Sequence, residues 1–216
     1  MRPITVTVGP LVTASANAIS LSQTPTVGAL TLNGALVSSG VATMDTPRRV
    51  LITTTANESA KTFTVTGTDW NGSPAVEVVT GPNATTGYTN LDFRTVTSIV
   101  ISATAAGSLT VGTNGVASSM WVRLDEWALP QTAVQCTATG TVNYTVQTTM
   151  QDPNSPTSPV SPYLVVWNSS LDSNAVAATA SVQSFFAYTP TWAKVTLNSG
   201  TGSVSSVFAQ AGSATY

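Results

Sequence analysis

Hydrophobic and polar residues alternate along most of the chain in short runs that end at Gly, Pro, Asn or Asp. A period of two places successive side chains on opposite faces of a β-strand, and turn residues between such runs are typical of antiparallel sheets. No segment has the apolar spacing of an ordinary helix. The predicted strands cover residues 4–8, 18–22, 29–34, 48–55, 61–68, 75–81, 96–103, 108–113, 121–127, 132–138, 141–149, 163–168, 180–188, 192–198 and 203–211.

Two segments have the pattern of a β-hairpin. In 62–81 the central Asp-Trp-Asn-Gly offers residues that tolerate positive φ, and Phe63 and Val65 share one face. In 98–113 we expect a turn at 105–107 between two alternating strands. The residues of that second segment expected to point inward are Ile99, Ile101, Leu109 and Val111.

The length of 216 residues suits two domains of ordinary size. Residues 112–120 are small and rich in turn formers, as expected of a link between units. The sequence therefore predicts an all-β chain with almost no helix, made of two tandem antiparallel β-sandwich domains at 1–113 and 114–216. Spacing does not decide between Ig-like and jelly-roll sandwiches.

The two halves are weakly similar, and this leaves open whether they arose by duplication. Residues 61–72 resemble 142–153, and residues 100–111 resemble 195–207. Within the second half, between the predicted strands 141–149 and 163–168, residues 152–162 contain four prolines and no strand pattern, which predicts an extended, exposed loop.

Composition restricts the partners of this chain. Hydrophobic residues make up 42% of the sequence but charged residues only 7%, against about 25% in an ordinary soluble protein. The net charge of −2 and a pI near 4.8 argue against nucleic-acid binding, which needs clustered Lys and Arg. No apolar stretch approaches the roughly 20 residues of a membrane-spanning helix. We expect neither nucleic acid nor membrane as a partner.

The residue types also argue against catalysis. The chain has no histidine and one cysteine, Cys136, so Ser-His-Asp, Cys-His and imidazole–metal sites cannot form. Cys136 lies in an alternating run and is expected to be a buried apolar residue. Asp125 and Glu126 are adjacent, so in a strand they would point to opposite faces. The sequence predicts a protein that is not an enzyme and has no cofactor and no metal.

Candidate interface residues lie first at the N-terminus and at one basic doublet. Ile4, Val6 and Val8 form an alternating run that could add a strand to the open sheet edge of a partner. Arg48 and Arg49 precede an apolar run and are interpreted as a pair at the start of a strand or at an interface, rather than as a phosphate site.

Tryptophans near the predicted link supply the remaining candidates. Trp121 and Trp127 flank Arg123, and we predict that the three contribute to a domain or subunit contact. Trp167 and Trp192 lie in apolar alternating runs and are expected in the core. The alternative is a tryptophan surface that stacks on sugars, as in carbohydrate-binding sandwiches.

Phrases spread over nearly the whole chain resemble small virion proteins of tailed bacteriophages. They are FTVTGTDWNGSPAVEVVTGPN (63–83), LDFRTVTSIVIS (91–102), VGTNGVASSMWVRLD (111–125), GTVNYTVQTTMQDP (140–153), the opening MRPITVTVGP and the closing LNSGTGSVSSVFAQAG (197–212). The resemblance implies a structural role in the particle.

Within that family, the resemblance favours a head decoration or cement protein that binds and stabilises the lattice of the major capsid protein as a homo-oligomer in a symmetric assembly. Alternatives are a neck, tail or fibre component and a carbohydrate- or receptor-binding module. Since the first residues lack the pattern of a signal peptide, we expect synthesis in the host bacterial cytoplasm and assembly into the virion.

Overall fold

The computed structural model describes residues 3–124 and 132–210. The chain is nearly all β, and every strand pair is antiparallel, which confirms the predicted fold class. The strands are β1 Ile4–Val8, β2 Ser20–Gln23, β3 Gly28–Ala29, β4 Val37–Ser38, β5 Val41–Arg48, β6 Val50–Thr54, β7 Thr62–Thr68, β8 Pro74–Thr80, β9 Thr86–Tyr88, β10 Phe93–Ile101, β11 Leu109–Thr113, β12 Ala117–Ser118, β13 Val122–Arg123, β14 Thr132–Thr139, β15 Asn143–Thr149, β16 Asn168–Ser169, β17 Val182–Phe186, β18 Trp192–Ser199 and β19 Ser203–Gln210.

Helical structure in the described ranges is confined to two short 3₁₀ turns, Pro162–Leu164 and Ser173–Ala175. No helix in this part of the chain has the length and hydropathy needed to cross a membrane.

The chain divides into two compact units whose bounds differ from the expected ones. Unit 1 combines Met1–Leu11 with Val116–Tyr216, and unit 2 is Val12–Gly115. The expected division after residue 113 falls close to Gly115, but the first eleven residues belong with the second half. The reason is strand pairing: β1 runs antiparallel along β19, from Ile4 opposite Phe208 to Val8 opposite Val204.

Each unit contains two sheets and has its own apolar core. In unit 2 the sheets have the strand orders β2-β11-β6-β9 and β4-β5-β10-β7-β8, with β3 paired to β10. In unit 1 the orders are β1-β19-β14-β17 and β12-β18-β15-β16, with β13 also paired to β18. One core draws on both sheets of unit 1 and the other on both sheets of unit 2, so each unit is a sandwich.

Both units have the same strand order. In unit 1 we count β12 and β13 as one strand, since both pair with β18, and the eight strands in chain order are then β1, β12/β13, β14, β15, β16, β17, β18 and β19. In unit 2 we leave out the two-residue strands β3 and β4, and the eight strands are β2, β5, β6, β7, β8, β9, β10 and β11. Numbered from first to eighth, they form one sheet in the order 1-8-3-6 and another in the order 2-7-4-5 in each unit. Eight strands with the first and last side by side form the double-sheet jelly roll, not the seven-stranded Ig sandwich.

The segments that resemble each other in sequence occupy equivalent strands. Residues 61–72 and 142–153 cover the fourth strands, β7 and β15. Residues 100–111 and 195–207 begin near the ends of the seventh strands, β10 and β18, and extend into the eighth, β11 and β19. The sequence similarity and the strand order therefore support the same internal duplication, in which unit 2 is inserted after the first strand of unit 1.

The hairpin predicted for 62–81 is confirmed, since β7 pairs with β8 from Thr62 opposite Thr80 to Thr68 opposite Pro74. The hairpin predicted for 98–113 is wrong. Its inward residues are buried as expected, but β10 and β11 belong to different sheets. Residues 102–108 cross from one sheet to the other, so the two strands face each other across the core.

Other segments also differ from expectation, among them residues 29–34, which were predicted as a strand but have only Ala29 in β3. Strand β5 was not predicted, because Asp45, Pro47 and Arg48 interrupt its apolar pattern, although Ala42 and Met44 point into the core. Residues 163–168 were predicted as a strand but contain the end of a 3₁₀ turn and only the first residue of β16. The Pro-rich stretch before them has no strand and is largely exposed, as expected.

Candidate interaction surfaces

The N-terminal candidates lie in unit 1. Val6 and Val8 are 5% and 0% exposed and pack in its core, and Ile4 is half-buried against it. The strand β1, which was expected to add to a partner's sheet, pairs along one edge with β19 of its own chain. Gly9 then lets the chain leave at φ +81, since a Cβ there would lie 2.4 Å from the Gly202 carbonyl oxygen. Because β1 ends the strand order of its sheet, its second edge has no paired strand among the described residues, and addition of this strand to a partner's sheet stays a prediction.

Arg48 and Arg49 have different surroundings in the structure. Arg48 is 1% exposed; its Nη1 donates to the Val12 carbonyl at 2.8 Å and its Nη2 to the Asp45 carboxylate. Arg48 is therefore an internal residue of unit 2 and not an interface residue, because a buried guanidinium needs such partners. Arg49 is half-buried and lies 5.5 Å from the ring centre of Tyr88, which is exposed.

Trp121 and Arg123 form a cluster in unit 1, and Trp127 lies outside the described residues. The Trp121 ring meets Trp192 edge to face at 6.1 Å. Arg123 lies over Trp192 at 5.7 Å and donates to Asp152 Oδ2 at 3.2 Å, while Trp192 Nε1 donates to Asp152 Oδ1 at 3.2 Å. A cleft of about 730 Å³ lies beside this cluster and is lined in part by Arg123 and Asp152.

A buried lysine continues the cluster. Lys194 is 2% exposed, and its ammonium lies 4.4 Å from the ring centre of Trp167 and 5.9 Å from that of Trp121. Trp121 and Trp167 meet edge to face at 4.8 Å. Trp192 and Lys194 share the outward face of β18, opposite the core residues that alternate with them. The prediction that Trp167 and Trp192 lie in the core is therefore wrong.

This cluster covers the outer face of the β12-β18-β15-β16 sheet. Thr145 and Thr196 point outward from it yet are only 6% and 3% exposed. Trp167 lies over Lys194, and the Ala177 N–H donates to Thr145 Oγ1 at 3.0 Å. The segment between β15 and β17 thus covers this face with residues of its own chain.

The equivalent face of unit 2 is open. Val100, Thr64 and Val78 lie side by side across β10, β7 and β8, and Ser98, Thr66 and Val76 form the next row. The valines are 39–48% exposed, and none of the six residues is charged. We call this block the open face.

A second uncharged surface lies in unit 1. Residues 153–171, here called the arm, contain no Asp, Glu, Lys or Arg. Leu164, Val166 and Leu171 are exposed to 59%, 58% and 82%. The Val166 N–H is held by Gln151 Oε1 at 2.7 Å, so this part of the arm has a defined conformation.

Charge is buried at two carboxylates of unit 2. Burial would raise the pKa of Glu58, but hydrogen bonds from Lys61 and from the N–H groups of Ala106 and Gly107 hold it below the ordinary value. Glu77 is 2% exposed, and burial raises its pKa although the N–H groups of Asn90 and Leu91 bind the carboxylate. Glu58 joins two loops, Glu77 joins β8 to a loop, and both carboxylates are internal.

Other polar groups also serve the fold. Asp69 Oδ1 accepts the N–H groups of Asn71 and Ser73 at 2.8 and 2.9 Å, which fixes the β7–β8 turn. Among residues 3–124 and 132–210, no three His, Cys, Asp or Glu side chains converge as a metal site would require.

Sequence reasoning missed the open face, the exposed aliphatic residues Leu164, Val166 and Leu171 of the arm, and Lys194. The alternation of β7 and β8 does place Thr64, Thr66, Val76 and Val78 on outward positions, so the valines there were a readable signal. The register that brings Val100 into the same row is not visible in the sequence.

Comparisons with models of known protein families and with characterised proteins found no match to this chain.

Proposed function

We propose that the chain is a structural protein of a tailed-phage virion, most specifically a decoration protein that binds and stabilises the lattice of the major capsid protein without catalysing a reaction. The observation that carries the proposal is the jelly-roll strand order found in both units. This architecture recurs in viral capsid proteins. The proposal rests on the strand order together with the resemblance of the sequence phrases, because a fold by itself does not define a function.

The outer surfaces support binding through shape and not through charge. The open face and the arm carry exposed aliphatic side chains without charged groups. A neutral surface can be removed from water without the desolvation cost of an ion. Many copies on one lattice also avoid mutual repulsion, and weak contacts add up by avidity when subunits engage several sites.

The tryptophans support a structural role better than a sugar platform. Trp121, Trp167 and Trp192 pack edge to face on one another, and Lys194 and Arg123 lie over ring faces. A sugar-stacking surface needs an open ring face. In this cluster the contacts instead fasten the arm segment to the sheet.

Copy number per particle tests the proposal. Purified virions of the encoding phage are digested, and the chain is quantified by mass spectrometry against the major capsid protein. A decoration protein gives a ratio near one or a simple fraction of it, such as about one third. A ratio of a few per cent or less would place the protein in the neck, tail or fibres. Its absence from virions would refute the proposal and favour the receptor- or sugar-binding alternative.

A further inference from the structure

Strand β1 leaves one edge of its sheet open. It ends the strand order β1-β19-β14-β17, and within residues 3–124 and 132–210 no hydrogen bond joins its second edge to another part of the chain. The run Ile4–Val8 has no charged residue, and its register with β19 has no bulge. Charges, prolines and bulges are the usual protection of an edge strand against pairing with another chain. The two nearest prolines, Pro3 and Pro10, lie outside the run and only limit its length.

The equivalent edge of unit 2 is closed by its own chain. There the first strand, β2, also ends a sheet. The N–H groups of Asn33 and Gly34 donate to the Ile19 carbonyl, just before β2, at 3.2 and 3.0 Å. The Leu21 N–H donates to Asn33 Oδ1 at 2.9 Å. In unit 1 the chain passes from β1 through Gly9 into unit 2, so no described segment takes this place beside β1. The groups that close the edge in unit 2 are backbone and side-chain amides.

The residue types of β1 match themselves when the strand is read in the opposite direction. Antiparallel pairing of two copies about Val6 places Ile4 of one copy opposite Val8 of the other. Thr5 then lies opposite Thr7, so aliphatic residues meet aliphatic residues and threonines meet threonines. The valines point into the core and the threonines point outward, so this register continues both faces of the sheet into the second copy. A shift by one residue would place a threonine opposite each core residue.

We infer that β1 of one copy pairs antiparallel with β1 of a second copy, with Val6 at the two-fold axis. Two four-stranded sheets then become one sheet of eight strands. The pairing satisfies backbone N–H and C=O groups on both open edges and brings no charges together. It uses the same surface on both copies, so it closes as a dimer. The inference does not rest on the proposed function.

Sedimentation velocity of the purified full-length chain, from about 1 µM to about 1 mM, measures the association. The double variant Thr5→Lys/Thr7→Lys brings lysines directly opposite one another across the dimer, and we expect it to associate at least about tenfold more weakly than the wild type. Thr5→Glu/Thr7→Glu should be weakened in the same way. In an equimolar mixture of the two variants each lysine lies opposite a glutamate, so 1:1 dimers should form at least as tightly as in the wild type.

Gln135→Lys/Thr137→Lys is the matched control. Both residues are exposed on the outward face of β14, an inner strand of the same sheet, so the added charge is equal but lies away from the edge. The control should associate like the wild type. Equal weakening of the control would overturn the inference, since net charge would then limit association. A monomeric wild type at the highest concentration, or association that the β1 variants leave unchanged, would also overturn it.

Disulfide trapping tests the register with substitutions that add no charge, and circular dichroism checks the folding of every variant. Thr5→Cys mixed with Thr7→Cys should give a cross-linked dimer under mild oxidation, because these positions lie opposite one another. Each variant alone should give far less, since two cysteines at the same position are offset by two residues and exceed the Cα separation of about 7 Å that a disulfide can bridge. The native Cys136 is buried. Equal cross-linking in all three samples would overturn the proposed register.

Discussion

Glu58 offers a sharp test of how unit 2 is held together. The residue is 1% exposed, and its carboxylate accepts hydrogen bonds from the N–H of Ala106 at 2.7 Å, the N–H of Gly107 at 3.2 Å and the Lys61 ammonium. Ala106 and Gly107 lie in the segment that crosses from β10 to β11, so this one side chain ties that crossing to the β6–β7 loop. Replacing Glu58 with Ala leaves two backbone donors without their acceptor.

The expected loss follows from the number of contacts broken. A donor left unpaired at a buried or partly buried contact costs about 1–3 kcal/mol, so two such donors give a loss of about 2–6 kcal/mol in the free energy of unfolding. For a unit of about 100 residues this lowers Tm by at least about 8 °C. Glu58→Gln keeps one oxygen acceptor and should lose less.

Differential scanning calorimetry of the full chain measures the change, with Ser59→Ala as the control because Ser59 is exposed next to Glu58. The hydrogen bonds hold the pKa of Glu58 below 4.5, so its stabilisation is present above about pH 4.5 and is lost as the pH falls through the folded-state pKa. The difference between wild type and Glu58→Gln should therefore shrink in acid. A Tm for Glu58→Ala equal to that of Ser59→Ala would refute the reasoning.

Three further substitutions probe other contacts. Burial raises the pKa of Glu77 above 4.5, so its contribution to stability is full below that pH and is lost as the pH rises through the folded-state pKa. Urea denaturation across this range should show that the free energy of unfolding falls as the pH rises, and Glu77→Gln should flatten this dependence. Lys194→Met keeps the length of the side chain but removes the cation over Trp167, and urea denaturation should show a loss of about 1–2 kcal/mol; unchanged stability would mean that the ring contact contributes nothing. Gly67→Ala places a Cβ 1.8 Å from the Thr95 carbonyl oxygen, where β10 is irregular, so thermal unfolding should begin at a clearly lower temperature, and a wild-type Tm would show that β10 can shift.

The interaction surfaces were only partly accessible from the sequence. Trp121 and Arg123 were recognised, and they do lie in one cluster, but Asp152, Trp167 and Lys194 reach it from distant segments. Arg48 illustrates the opposite case. Its charge indicated a surface position, whereas Asp45 and the Val12 carbonyl give it partners inside unit 2. Local sequence does not show which buried partners a charge will find.

Alternation by itself determined the fold class, most strands and their inward faces, because successive side chains in a strand must point to opposite sides. It placed Phe63, Val65, Ile99 and Leu109 inside, and all four are buried. Only the tertiary structure decided that β10 and β11 lie in opposite sheets. A period of two specifies the face of each strand but not its neighbour, since pairing depends on which distant edges and core residues fit together. For that same reason β1, whose residues would suit any sandwich edge, completes the unit formed by the other end of the chain.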